Sequence, residues 1–367
     1  MTAAQGKRSI NQVGVIGLGK VGELVAGLLT DAGFKVSGYD ATPHPGLRFE
    51  TAELDVRDAT ALQDALRGVD AVVSCLPYDR NIEVAEAAAA VGCHYFDLTE
   101  DVPTTQRVIE LAGQTPGVAF VPQCGLAPGL IGIVGASLAK GFSEIRSIEL
   151  KVGALPQNPT GLLGYAFNWS AEGVVNEYLN DCEVLRSGRR QMVPAMEEKE
   201  RVVIGGIELE AALTSGGLGT MCQSYEGRVQ RLDYKTLRYP GHFDQMHFLF
   251  DELGLRDCRE EVGRILVKAK PPVNDDIVYL HAAVEGIKDG QPFRENHVRG
   301  YLPIEIDGRM WRAISWTTAS SAVAVLELVA DGKLPQEGFV RQEDITLEDL
   351  HSTHAGRRFR DYGKISA

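Results

Sequence analysis

The stretch VGVIGLGKVGELVAGLL, residues 13–29, constrains this chain more than any other. It opens as a hydrophobic strand and breaks into a turn holding Gly17, Gly19 and Gly22. It then resumes with Val21, Leu24, Val25, Leu28 and Leu29 at helical spacing, and Gly33 is placed to stop the helix. When a strand runs through G-x-G-x-x-G into a helix, each glycine has a mechanical reason. The first allows the tight turn, the second lets backbone approach a diphosphate, and the third lets the helix pack closely on the sheet. Free N–H groups and the positive helix end then face the anion. Asp40 lies 18 residues after Gly22, at the end of the second strand, where a carboxylate accepts both hydroxyls of an adenosine ribose.

The pattern therefore predicts a dinucleotide site in which Gly17, Gly19, Lys20, Val21 and Gly22 form the turn and Asp40 holds the ribose. Leu76 and Pro77, at the end of a later strand, complete its near side. A carboxylate at position 40 repels a 2'-phosphate. The following ATPHPG contains no arginine to receive one, and His44 is its only cationic candidate, so NAD is expected ahead of NADP.

From residue 13 to about residue 125, short β-type runs alternate with amphipathic helical stretches, the signature of an α/β layer. Strands are expected at 13–17, 35–40, 70–76, 94–98 and 118–122, several of them apolar on both faces as buried parallel strands must be. Asp58 and Asp101 are expected N-caps, with Pro103 just inside the second helix. After CGLAPGL (124–130) the runs become longer and alternating, which points to a largely antiparallel sheet. GHFDQMHFLFDELG (241–254) reads as a helix and HVRGYLPIEIDG (297–308) as a late hairpin. Residues 315–334 read as an apolar helix suited to packing on the first sheet. The expected fold is a Rossmann-type doubly wound parallel sheet over 1–125 and a second α+β domain over 126–312 for substrate and dimerisation. Residues 313–367 are expected to return to the first domain.

A chain of 367 residues exceeds the size at which one core stops growing, which agrees with two domains. Its net charge of -13 argues against nucleic acid or an anionic membrane as partner. Six cysteines without a C-x-x-C pair argue against a zinc site or a disulfide framework. With no signal-like start, a cytoplasmic protein acting on a small molecule is expected. His242 and His247 are five apart, out of helical register for a shared metal, and no metal site is expected.

AVVSCLPYDRNIEVAEAAAAVGCHYFDLTED (71–101), CGLAPGL, LPQNPTGLLGYAFNWSAEGVVNEYLN (155–180), TLRYPGHFDQM (236–246) and TTASSAVAVLELVADGKLPQEGFV (317–340) together resemble the saccharopine dehydrogenase family, most of all its lysine 6-dehydrogenase branch. The resemblance implies nicotinamide-dependent chemistry at a C–N bond of an amino acid. The expected reaction is oxidation of the terminal amine of L-lysine to a semialdehyde or cyclic imine. A saccharopine-type secondary amine and a non-catalytic dinucleotide sensor are the alternatives. It also implies a homodimer built on the second domain. One departure stands out: relatives often carry an acid in the turn where this chain has Ala127.

Oxidising a primary amine requires a neutral nitrogen, at a cost of about 4 to 5 kcal/mol at pH 7 for a lysine side chain. His242, at a turn into a helix, is the first candidate for the base, and Asp97 is the second catalytic candidate. Asp97 and Glu100 follow the fourth strand, at the carboxyl edge where ligands of parallel sheets collect. Either can hold an ammonium group or serve as the alternative base, and Thr99 is expected to bond the nicotinamide amide. Gly125 is expected to allow close approach to that ring. Cys124 beside it joins the substrate set as a small packer rather than a nucleophile. Arg238 is expected to clamp the α-carboxylate with Tyr239 beside it, Trp169 to wall the aliphatic chain and Glu172 to meet the amine. Ser170 is the expected cap of that helix, and Arg186, Arg189 and Arg190 read as a solvated turn.

Overall fold

The computed structural model describes residues 9–42 and 44–364. The chain separates into two compact units. One runs through Leu130 and again over Thr317–Asp361; the other comprises Ile131–Trp316 and continues from Tyr362.

The first unit is built on strands β1 (Gln12–Ile16), β2 (Lys35–Asp40), β3 (Glu50–Glu53), β4 (Ala71–Ser74), β5 (His94–Asp97) and β6 (Ala119–Val121). Their order is β3-β2-β1-β4-β5-β6, and a short strand, Gly338–Phe339, pairs with the far side of β6. Every pairing is parallel. This is the doubly wound Rossmann arrangement, in which the order reverses between β1 and β4 and a ligand crevice opens at the carboxyl ends. The apolar runs of β1, β4 and β5 are buried, and Leu62, Leu66, Val84, Ala88, Val108 and Leu111 of the covering helices close over them. The helix Gly22–Asp31 ends where Gly33 turns to a φ of +88°. Asp58 caps Ala59–Leu66 by accepting from Thr60 and Ala61 N–H, and Asp101 caps Val102–Gln114 by accepting from Thr104 N–H.

The sequence gives no sign of β3, because all four of its side chains are exposed at the sheet edge and no apolar alternation marks it. The apolar helix expected over 315–334 runs Ala313–Ala330. It has the length and hydropathy of a membrane span, but 94% of it is buried in the fold, as in a core helix.

The second unit carries an eight-stranded sheet of β7 (Glu144–Pro156), β8 (Cys182–Arg186), β9 (Arg189–Val193), β10 (Glu200–Ile204), β11 (Ile207–Leu213), β12 (Val229–Arg238), β13 (Asp276–Lys288) and β14 (Gln291–Tyr301). Its main path is β10-β11-β12-β7-β13-β14, with β8 attached to β12 and β9 to β8. All pairings are antiparallel except β7 with β12. Gly135 lets the helix Leu130–Ala139 approach this sheet, since a Cβ there would stand 2.6 Å from the Leu150 side chain. Elsewhere Leu155, Ala211, Leu237 and Tyr279 of the sheet pack with Val174, Tyr178, Phe243 and Val262 of the helices.

Two local expectations shift. Residues 297–301 are the last part of β14, paired with residues 278–282 of β13, and the late hairpin is a separate pair, Ile304–Ile306 with Arg309–Trp311, turning at Asp307 and Gly308. The helix expected over 241–254 is helical over His242–His247 and continues as a π-turn over Phe248–Glu252.

Candidate functional site

At the carboxyl edge of the first sheet, the glycine turn has the shape its spacing predicts. Gly17 sits at a φ of +88° and donates its N–H to the Tyr39 carbonyl at 2.8 Å. A Cβ on Gly22 would fall 1.8 Å from the Gly17 carbonyl oxygen, whereas one on Gly19 would meet nothing within 4 Å. Gly22 is thus required by packing, and Gly19 presents bare backbone to open space. Leu76 backs the turn, its Cδ2 lying 3.0 Å from the Cβ position of Gly17, and Pro77 is exposed beyond it. Lys20 is exposed in the turn, and Val21 is the helix N-cap residue. This cradle fits the diphosphate of a dinucleotide.

Asp40 closes the crevice on the β2 side. Its Oδ2 accepts from Leu18 N–H at 2.7 Å, and its Oδ1 accepts from the Thr42 N–H and hydroxyl at 3.1 Å each. Partial burial opposes ionisation, but these hydrogen bonds and nearby His44 outweigh it and hold the carboxyl below its ordinary value. The acid is therefore an ionised acceptor at neutral pH. Thr42 and Leu18 escape sequence reasoning because their part depends on backbone direction.

Asp97, proposed from sequence as a catalytic group, points inward. It is fully buried, with Oδ1 accepting from Thr99 N–H at 3.0 Å and Gln123 N–H at 2.8 Å, and Oδ2 accepting from the Tyr95 hydroxyl at 2.8 Å. Burial raises its pKa to about 6 against the pull of these donors. The carboxylate ties the ends of β5 and β6 together and is not presented to a substrate amine. Thr99 is buried, and its hydroxyl accepts from Asp101 N–H. Glu100 is half-buried next to it.

Cys124 is also turned inward, with Sγ 3.1 Å from the Val121 carbonyl and 3.3 Å from Gln342 Nε2. Burial pushes its thiol pKa well up. It is a core packer and not a substrate contact. Gly125 belongs to a tight turn closed on Gly129, where a Cβ would meet the Gly125 carbonyl oxygen at 2.1 Å.

In the second unit, His242, expected as the base, is 1% exposed and occupied at both ring nitrogens. Nδ1 lies 2.9 Å from the Leu163 carbonyl, so it carries the proton, and Nε2 accepts from the Tyr178 hydroxyl at 2.9 Å. Burial first, then the charge of Arg238, lowers its pKa to about 3. A neutral imidazole engaged on both sides cannot serve as the direct base. The Tyr178 oxygen in turn accepts from Arg238 Nε at 2.7 Å, giving a buried chain of Arg238, Tyr178, His242 and Leu163.

Arg238 lies over the Tyr165 ring at 4.6 Å from its centroid, and its nearest carboxylate, Glu177, stands at 3.7 Å. Trp169 is half-buried and donates to the Tyr165 hydroxyl at 3.2 Å. Tyr239 donates to the Pro156 carbonyl, a contact that fixes its ring. Glu172 is exposed in the first turn of the helix capped by Ser170, where it complements the helix dipole. Tyr165, Glu177 and Tyr178 were not singled out from the sequence. The signal for the two tyrosines was aromatic residues at buried spacing, which ordinary cores share, and nothing in the pattern marked Glu177.

Residues 13–117 match the model described as the saccharopine dehydrogenase NADP binding domain, and residues 125–355 match the saccharopine dehydrogenase C-terminal domain. The chain belongs to the saccharopine dehydrogenase family. Among curated relatives of this family, it is 28% identical over 266 residues to the saccharopine dehydrogenase [NADP(+), L-glutamate-forming] of Schizosaccharomyces pombe, covering 64% of this chain and 57% of that protein. It is 27% identical to the protein of the same description from Pyricularia oryzae, covering 48% of this chain and 42% of that one. The matched segments thus span about half the length of these relatives.

In fold, the chain is similar to the apo saccharopine dehydrogenase (L-Glu forming) of Saccharomyces cerevisiae, with a TM-score of 0.73 and 16% identity over 96% of this chain and 99% of that one. It is also similar to a homospermidine synthase of Legionella pneumophila solved with NAD, with a TM-score of 0.65 and 13% identity over 97% and 90%. The saccharopine dehydrogenase fold is therefore that of both units described above.

Proposed function

We propose that this chain is an NAD-dependent oxidoreductase acting on a C–N bond of a basic amino acid, and that it oxidises the terminal amine of L-lysine to an imine that hydrolyses to the semialdehyde or cyclises. When bound, the nicotinamide takes the hydride from the carbon bearing the amine. The chain's own residues bind and orient. The Gly17–Gly22 turn receives the diphosphate and Asp40 the ribose hydroxyls, while Arg238 is assigned the substrate carboxylate. Of the two sheet-edge acids considered for the amine proton, Asp97 is turned inward and Glu100 is half-buried.

The observation that carries the substrate reading is how the second unit's arginines are used. Arg186 is paired with Glu198 and Asp233, and Arg190 with Glu183 and Glu226. Arg238 is held by the Tyr178 hydroxyl and the Leu237 carbonyl, with Glu177 at 3.7 Å. The planar fork of Arg238 matches one α-carboxylate, and it is the group assigned to it here. The relatives' names favour a second reading, a saccharopine-type secondary amine with additional carboxylates, and the pairing of Arg186 and Arg190 with acids takes those two out of the set that would receive them.

For the cofactor, Asp40 and the pairing of Arg48 with Asp31 favour NAD. The test is NADH formation, followed by absorbance with NAD+ and either L-lysine, other diamino acids or saccharopine. Turnover with L-lysine supports the reading. Turnover with saccharopine alone, or with no amine despite NAD binding, overturns it.

A further inference from the structure

We propose that the outer edge of β14 pairs antiparallel with the same edge of a second copy of this chain, joining two eight-stranded sheets into one, with the two-fold axis at Asn296. The inference is independent of the cofactor and substrate readings.

β14 ends the main path of the second unit's sheet, and it pairs with β13 over its whole length, Gln291–Tyr301, without a register shift. In an unbroken antiparallel ladder the backbone groups of successive residues point alternately to one side and the other. Gly300 shows which side is which. Its N–H donates to the Lys364 carbonyl at 2.7 Å and its carbonyl accepts from Lys364 N–H at 3.0 Å, on the side away from β13. Arg294, Asn296 and Val298 therefore also direct their N–H and C=O outward. The Val298 carbonyl agrees, since it is open enough to accept from Arg299 Nη1 at 2.8 Å, and its second lone pair is left for a ladder bond. Pro292 shares the outward position, where its missing N–H costs no bond to β13. Among the described residues, Lys364 is the one residue outside β13 that bridges to β14, and residues 291–294 and 296 are exposed.

A long open edge is a template for another strand unless something guards it. The charges of β14 do not, because Arg294 forks onto Glu149 and Glu295 pairs with Lys288. The opposite edge of the sheet, β10, has five residues, and so short an edge is itself a protection.

The register follows from where the open stretch stops. Pro292 closes one end because it has no donor, and Gly300 closes the other because Lys364 occupies its groups. An axis at Asn296 sets Pro292 opposite Gly300 of the second copy, so both closed positions fall outside the new ladder together. Inside it, Asn296 exchanges bonds with its own counterpart and Arg294 with Val298 of the second copy. Glu295 then stands opposite His297 of the second copy in the closer, non-hydrogen-bonded pair, a carboxylate against an imidazole. An axis at residue 295 would set Glu295 against itself. One at residue 297 would set His297 against itself and bring Arg294 onto the occupied Gly300. Charge and occupancy together select Asn296.

Sedimentation equilibrium from about 1 to 100 μM, where interfaces of modest size dissociate, is expected to show the wild-type chain in reversible exchange between monomer and dimer. Asn296→Pro removes an outward N–H and leaves the β13 ladder whole. It is expected to weaken the dimer roughly tenfold or more with the far-UV circular dichroism unchanged. Asn296→Cys, made together with Cys258→Ser because that thiol is exposed, is expected to form a disulfide dimer on oxidation. Its Cα atoms would lie about 5.5 Å apart, within disulfide reach. Phe293→Cys on the same background is expected not to, its counterpart lying about 20 Å away along the strand. A wild-type chain that stays monomeric over the whole range overturns the proposal. So does a dimer that Asn296→Pro leaves as tight and that cross-links no better through position 296 than through 293, which would put the contact on another surface. Should Asn296→Pro fail to fold, the two cysteine variants decide by themselves.

Discussion

The carbonyl oxygen of Gly17 stands 1.8 Å from the point where a Cβ on Gly22 would lie. Two glycines of one motif therefore answer to different demands, since a Cβ on Gly19 would touch nothing. Gly22→Ala forces the turn and helix apart. It is expected to lower stability by about 1–3 kcal/mol, the usual cost of overpacking, and to weaken dinucleotide binding as the turn deforms. Gly19→Ala is expected to leave the melting temperature unchanged and still weaken binding, because its methyl occupies the space a diphosphate needs. Thermal denaturation with and without NAD+ separates the two. Equal loss of stability in both variants would contradict this division.

Asp40 serves the fold and the ligand with the same carboxylate. Replacing it with Ala removes the acceptor for Leu18 N–H and Thr42, as well as the expected ribose contact. Hydrogen bonds to a charged group are each worth about 1.5–3 kcal/mol, so NAD+ affinity should fall at least tenfold in Asp40→Ala. Calorimetric titration checks this, and unchanged affinity would remove Asp40 from the site.

The parallel sheet was legible because β1, β4 and β5 are apolar on both faces, a pattern that only burial under two layers explains. The caps Asp58, Asp101 and Ser170 were legible because a cap is a local bargain between a side chain and N–H groups two or three residues on. Strand β3 and the pair Gly338–Phe339 were not, since edge strands this short hold their place through backbone bonds alone. The site residues divide in the same way. That Asp97 lies at a strand end follows from the pattern. That it points inward depends on the N–H of Gln123, 26 residues away. His242 likewise looks like a poised base until Tyr178, 64 residues earlier, is found on its Nε2. Position is encoded locally, but side-chain direction is fixed by partners distant in the chain.

Burial of Asp97 gives the fold a specific pH dependence. Its pKa is about 6 in the folded chain, against about 3.9 for an unfolded aspartate. The folded state holds the proton more tightly, so this group's contribution is most favourable below about pH 4. It is lost as the pH rises towards 6, by roughly 3 kcal/mol in all at 1.36 per unit. Asp97→Asn has no such proton to lose and can still accept from Thr99 and Gln123 N–H. Chemical denaturation at pH 4, 5, 6 and 7 is expected to show the wild type losing stability relative to Asp97→Asn across that range. Parallel pH profiles would show that the carboxyl is not desolvated in the folded chain.

Tyr178 offers the sharpest test of the second cluster, because its hydroxyl accepts from Arg238 at 2.7 Å and donates to His242 at 2.9 Å. Tyr178→Phe leaves the ring contacts in place but strips a partner from a buried guanidinium and from a buried imidazole nitrogen. A cost of about 1–3 kcal/mol in stability is expected for each polar group left unpaired. If Arg238 holds the substrate carboxylate, loosening its Nε anchor should raise KM for the amino acid while leaving NAD+ affinity intact, because the glycine turn belongs to the other unit. Arg238→Lys, which keeps the charge and loses the planar fork, should raise that KM further, by about tenfold or more. Steady-state kinetics with the amino acid varied at saturating NAD+ decides the matter. A fall in stability with KM unchanged in both variants would make the Arg238–Tyr178–His242 chain a device of the core alone.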